Sequence, residues 1–155
     1  MDMRAQFRFA AELYGTLIKP SGEIIDLGLL STKYITDAYA KYYIKCLLGT
    51  ETGIADFKYH DSGTGDTEAD ETDTTLETPA GIARVAGTQV EGASAIVYQS
   101  VATITYDGVY SITEWGIFNA LVADTLMDRA VFTAVSVTNG FKFRFTYNHS
   151  ALSGG

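Results

Sequence analysis

The densest run of chemically capable groups in this 155-residue chain is acidic. Residues 61–77 carry Asp61, Asp66, Glu68, Asp70, Glu71, Asp73 and Glu77 and no base. Closely spaced carboxylates are the oxygen-rich ligand set that calcium takes. Asp66, Glu68 and Asp70 fall at the first, third and fifth positions of a twelve-residue calcium loop, with Glu77 at the twelfth. The sixth position needs glycine for its sharp turn and holds Glu71, and no helix pair flanks the run. The spacing therefore reads as a chance match. A calcium site of another kind is the remaining metal option, and a solvated acidic loop is the default.

Other chemistries find less support. His60 and His149 are the two histidines, and neither has a spacing that suits zinc or a nucleophilic triad. Cys46 stands alone, so no internal disulfide forms, and no neighbouring base activates the thiol. Gly63 and Gly65 give GTG, but the acids that follow would repel phosphate. Paired carboxylates for glycoside cleavage are a formal option in any acid-rich chain. Acids gathered in one polar loop, however, are not expected to have the raised pKa values such work needs. The expectation is a protein without an active site or cofactor.

A different pair of charges stands out. Residues 110–137, YSITEWGIFNALVADTLMDRAVFTAVSV, read as two apolar strands joined by a short loop near residues 122–124. Within them lie the only tryptophan, Trp115, and Gly116 between bulky neighbours. Glu114 and Arg129 sit in β-branched, apolar surroundings, where a charge is costly unless it is paired or wetted. Either the two face each other or a neighbouring subunit, or strand alternation turns both to solvent.

The elements that position these groups follow from pattern. Threonine, valine, glycine and aromatics are plentiful and proline is scarce, which favours strands and turns. The length fits one domain at residues 11–148. Before it, residues 1–10 form a strand or a docking arm carrying Phe7 and Phe9 on one side. After it, residues 149–155 read as a flexible tail. Residues 12–19 and 23–30 make a hairpin about Pro20-Ser21-Gly22. Residues 37–48 are the one convincing helix, capped by Thr36 or Asp37 and ended by Gly49. Ala40, Tyr43, Ile44, Leu47 and Leu48 form its apolar stripe, with Cys46 beside it and the tyrosines as packing groups. Residues 54–60, 82–90, 95–106 and 109–118 read as strands. Asp107-Gly108 and Asn139-Gly140 are hairpin signals. The last strand, FKFRFTYN at 141–148, points Phe141, Phe143, Phe145 and Tyr147 inward. The fold class is mainly β: an antiparallel β-sandwich with one packed helix and a long acidic loop.

The net charge of −8 lies almost wholly in that loop; the rest of the chain carries twelve acids against eleven bases. No cluster of lysine and arginine offers a phosphate surface, so nucleic acid is not an expected partner. No apolar run approaches membrane-spanning length and no leader is visible, so a soluble protein made in a cytoplasm is expected.

Three segments, SITEWGIFNA, TLMDRAVFTAVSV and NGFKFRFTY, resemble a family of small tailed-phage virion proteins often labelled tail fibre proteins. That family's pattern is an ITEHGIF-type strand, a TLxDRxVF-type strand and an aromatic strand before a short tail. DLGLLSTKYITDAYAKYYIKCL is similar to its strand-then-helix segment, and FKYHDSGTG with DTTLET to its glycine-rich loop. RVAGTQVEGASAIVYQSVATITY is similar to its RxxGTQ strand pair. The resemblance covers about residues 27–148, with a looser likeness to the N-terminal attachment domains of tail-collar fibres. Trp115 stands where the pattern has histidine, so a polar role there is not carried over.

A receptor-binding fibre would be expected to continue past Gly155 into a shaft and tip. The resemblance therefore implies a non-enzymatic virion part, made in a bacterial host, that docks on the particle. A capsid decoration or cement protein is the first expectation, and a tail or neck adaptor the alternative. A carbohydrate-binding host-attachment module ranks below both. The implied partners are the major capsid protein or tail and neck proteins, and a second or third copy of the chain in closed symmetry. The residues marked for structure or interface are Phe7, Phe9, Glu114, Trp115, Gly116, Phe118, Asp128 and Arg129.

Overall fold

A computed structural model describes residues 6–33 and 35–154. The described residues fold as two antiparallel sheets and one α-helix. Its strands are β1 (Gln6–Ile18), β2 (Ile24–Lys33), β3 (Tyr59–Gly63), β4 (Val85–Ala86), β5 (Thr88–Glu91), β6 (Val97–Thr105), β7 (Tyr110–Phe118), β8 (Leu126–Val137) and β9 (Lys142–Gly154). Helix α1 (Asp37–Leu47) lies between β2 and β3. The five-stranded sheet has the order β2-β1-β9-β6-β5 and the four-stranded sheet β4-β3-β7-β8. This is the expected mainly-β sandwich with a single helix.

Alternation builds the core as the pattern of β9 predicts. Phe143, Phe145 and Tyr147 are buried, while Lys142 and Arg144 are exposed. They meet Leu13, Leu17 and Ile104 of their own sheet and Ile112, Trp115, Ile117 and Phe132 of the facing one. Trp115 lies 4.9 Å from the Tyr147 ring and 6.3 Å from Phe145, close enough for favourable aromatic packing across the sandwich.

Several sequence expectations are corrected. Asp107-Gly108 and Asn139-Gly140 do not close hairpins, because β6 and β9 belong to one sheet and β7 and β8 to the other. Both are corners between layers, tied together where Gly140 N–H donates to Tyr106 O and Tyr106 N–H to Phe141 O. A two-residue turn signal specifies a reversal, not which strand lies beyond it. Residues 54–60 are not one strand. Ile54–Asp56 is a 3-10 turn, and β3 begins only at Tyr59. Residues 82–90 break at Gly87, where β4 leaves one sheet and β5 joins the other. A side chain at Gly87 would collide with Ser100 Oγ, so only glycine lets the chain cross there.

At the ends, β1 pairs with β9 from Gln6↔Gly154 to Ile18↔Lys142. Residues 6–10 thus lie on the chain's own last strand, and that strand runs through the stretch read as a flexible tail. Residues 1–5 of the expected arm, and the Phe7 side chain, lie outside the described residues. Phe9 packs against Tyr43 (5.4 Å) and stacks on His149 (4.8 Å).

In α1 the Thr36 side chain caps the N-terminus by accepting from Tyr39 N–H, and Gly49 follows the end with φ +74°. The buried face differs from the expected stripe. Tyr39 is buried and Tyr42, Tyr43 and Cys46 are half-buried, whereas Ile44, Leu47 and Leu48 are 52–71% exposed. Tyrosines can lay their rings edge-on against Phe57 and Phe9. That aromatic fit outranks aliphatic hydropathy in choosing which face turns inward.

Candidate functional site

The outer face of the four-stranded sheet is where the unusual residues converge. A bulge between Ile112 and Glu114 resets the alternation of β7. Trp115 and Ile117 then point into the sandwich, while Phe118 joins a second small core with Leu76 and Leu126. Leu76 comes from the acidic loop, which therefore folds over this sheet face instead of standing in solvent. Gly116 makes room for it: a Cβ there would lie 2.8 Å from Leu76 Cδ2 and 3.1 Å from Leu126 Cδ1.

Glu114 holds the loop in place. Its side chain is fully buried and accepts four hydrogen bonds. The donors are Gly65 N–H (3.1 Å) and Thr78 N–H (2.7 Å) at Oε1, and Glu77 N–H (3.0 Å) and Arg129 Nε–H (2.8 Å) at Oε2. Arg129, also buried, donates further from Nη1 to Asp73 Oδ2 (3.0 Å) and from Nη2 to the Thr67 carbonyl (3.1 Å). Burial alone would depress the guanidinium pKa, but the bonds to Glu114 and Asp73 outweigh it and raise it. The guanidinium is thus held charged, and the bonds it gives to the loop at Asp73 and Thr67 are charge-assisted. Gly63 and Gly65 permit the close approach. A Cβ on Gly63 would collide with the Thr78 carbonyl, and one on Gly65 would lie 2.7 Å from Glu114 Oε1. The GTG sequence therefore gives a backbone N–H to a carboxylate, not to a phosphate.

A second arginine does similar work nearby. Arg84 donates from Nε to Asp61 Oδ2 (3.2 Å) and from Nη1 to the carbonyls of Ala120 (2.9 Å) and Ala123 (2.8 Å). Its guanidinium carbon lies 3.5 Å from the centre of the Phe118 ring, within cation–π range. Burial raises the Asp61 pKa, and the Arg84 contact opposes that shift. The loop it fixes, residues 119–125, contains Ala123 and Asp124 at φ +54° and +68°. This left-handed backbone costs non-glycine residues energy. The same loop exposes Leu121 (58%) and Val122 (81%).

On the inner face, His60 is wholly enclosed. Trp115 Nε1–H donates to its Nδ1 (3.1 Å), so the ring proton sits on Nε2 and bonds Ser100 Oγ (2.8 Å). Burial pulls its pKa down to about 3, which keeps it neutral near pH 7. Histidine, serine and tryptophan all have zero exposure, so this pairing packs the core and meets no substrate. Ser62 with Tyr106 (2.8 Å) and Tyr147 with Asp128 (3.0 Å) are further buried pairs.

Of the residues marked from sequence, Glu114 and Arg129 do face each other, Gly116 and Phe118 lie on the same outer face, and Trp115 points the other way into the sandwich. Asp128 lies on the inner face. The weak metal candidates take other partners: Glu77 accepts from Asp66 N–H (3.0 Å), and Asp70 accepts from Thr72. Among the described residues no group of His, Cys, Asp or Glu could hold a metal ion. Sequence reasoning missed His60, Asp61 and Arg84. Continued alternation through Tyr59-His60-Asp61-Ser62 was the available signal. No described helix is long and apolar enough to cross a membrane. Comparison with protein-family models, curated proteins and solved structures returns no match for this chain.

Proposed function

We propose that the protein is a non-enzymatic structural component of a tailed-phage virion, docking on the particle as a capsid decoration protein beside the major capsid protein. One observation carries the reading. The charged and glycine positions of the segments that resemble virion proteins meet in a single buried clamp, Glu114–Arg129 with Gly63, Gly65 and Gly116. A signature used to pin a loop onto a sheet is what a rigid scaffold needs, and it leaves those side chains unable to reach a substrate. Mass spectrometry of purified particles tests the proposal. Hundreds of copies per particle are expected for decoration, and a dozen or fewer would favour the tail or neck adaptor; absence from the particle would end the reading.

A second reading, host-glycan attachment, has one observation in its favour. Phe9, Tyr43, Tyr98, Glu91 and His149 line an open groove of about 490 Å³. Aromatic faces beside a carboxylate suit sugar stacking. A glycan array with no signal above background removes it.

A further inference from the structure

One surface that carries aliphatic side chains outward is made of two neighbouring parts. One is the outer face of α1, where Ile44 is 52% exposed and Leu47 and Leu48 are 69% and 71% exposed. A shallow depression of about 520 Å³ on this face is lined by Asp37, Ala40, Lys41, Ile44 and Lys45. The other is the 119–125 loop with Leu121 and Val122 at its tip. The two parts flank one cleft, since Lys41, Tyr42 and Lys45 line it with Asn119, Asp124 and Thr125. One surface thus holds an apolar projection beside an apolar depression.

The projection is built, not slack. Arg84 grips it through two carbonyls, Asn119 Oδ1 accepts from Thr125 N–H (2.9 Å), and two consecutive non-glycine residues are held at positive φ. Strain maintained by hydrogen-bonded support, with aliphatic side chains pushed into water, marks a contact surface. The charges say what covers it. The depression is rimmed by Lys41 and Lys45, and the projection carries Asp124. None of these three has an ion-pair partner among the described residues.

We propose that a second copy of this chain covers the surface in a two-fold dimer. Leu121 and Val122 of each copy seat in the Ala40–Ile44 depression of the other, and Asp124 meets Lys41 or Lys45. Because projection and depression are adjacent, one rotation satisfies both contacts at once, as a closed isologous interface requires. The dimer deepens the virion reading by giving its docking unit. Its failure would show in solution, whereas failure of the virion reading would show in the particle count.

The test is sedimentation velocity of the full chain across a wide concentration range. Wild type is expected to dimerise. Val122→Asp and Ile44→Lys should each raise the dissociation constant more than about tenfold, as loss of a central apolar anchor does. Both positions are exposed, so circular dichroism should be unchanged. Mixing the two variants should restore dimers. The mixed pair keeps one intact contact and opposes Asp to Lys at the other, while neither variant alone keeps any. A wild type that stays monomeric, a dimer that neither substitution weakens, or a mixture that stays monomeric overturns the proposal; the first result would assign the surface to a different protein.

Discussion

Two loops on the outer face of the four-stranded sheet are held by the same device and turned to opposite ends. The acidic loop and the 119–125 loop each hang from an arginine paired with a carboxylate: the buried Arg129 with Glu114, and the half-buried Arg84 with Asp61. The first loop turns Leu76 inward, gives Asp73 to Arg129 and leaves Asp66, Glu68, Asp70, Glu71 and Glu77 exposed. The second turns Leu121 and Val122 outward and accepts backbone strain to do so. An ion pair that costs desolvation is weak evidence for stability but fixes one geometry among several. What differs is what that geometry serves: in one case a lid that completes the fold, in the other a projection whose Leu121 and Val122 stand in water.

The largest effect is expected at the lid. Glu114→Ala leaves Arg129 buried with only Asp73 and the Thr67 carbonyl and orphans three backbone N–H groups, so about 3–5 kcal/mol of stability should be lost. Urea unfolding measures it, and Glu114→Leu combined with Arg129→Met should recover part of the loss. If Glu114→Ala were neutral, the lid would not be held by the clamp.

Acid offers a test of the layer beneath both loops. Burial lowers the pKa of His60 to about 3 and of His149 to about 4. Below about pH 6.5 the unfolded chain therefore takes up protons that the folded one refuses. Stability is complete above that pH and falls as pH drops toward the folded values, by on the order of 2 kcal/mol per histidine between pH 7 and pH 5. Asp61, raised by burial, works in the opposite sense at lower pH. Thermal melts should show this acid limb, and His149→Gln should flatten it.

Arg84→Met separates the two loops. It strands Asp61 and frees two loop carbonyls, at a cost of about 2 kcal/mol by urea unfolding. It should weaken the dimer as strongly as Val122→Asp, which Glu114→Ala, scaled for stability, should not. The smallest effect has the opposite sign. Ala123→Gly relieves the φ of +54° and should stabilise the chain by about 0.5–1 kcal/mol in the same measurement.

The sequence made one member of this comparison half legible. Glu114 and Arg129 stood out because charge among β-branched neighbours demands a partner, and they prove to be partners. The lid itself was not legible. Its acids read as solvated, and three of Glu114's four bonds come from backbone N–H groups that no side-chain pattern encodes. The loop at residues 122–124 was legible but its projection was hidden for a related reason: Ala123 carries no left-handed signature, and the loop is held by Arg84, some forty residues away. Strand positions in 110–118 and 142–148 followed from alternation, because side-chain period is a local property. Sheet membership did not, since Asn139-Gly140 looks the same whether it reverses within a layer or passes to the next.

The place of β9 has a kinetic consequence. It follows every other described strand in chain order, yet it lies in the middle of its sheet, between β1 and β6. Until β9 has been made, β1 and β6 have no strand between them, and the niche for Phe143, Phe145 and Tyr147 stays open. The five-stranded sheet can therefore close only after β1 to β8 have been made. During that interval the nascent chain displays unpaired strand edges of the kind that chaperones recognise and that neighbouring nascent copies can capture.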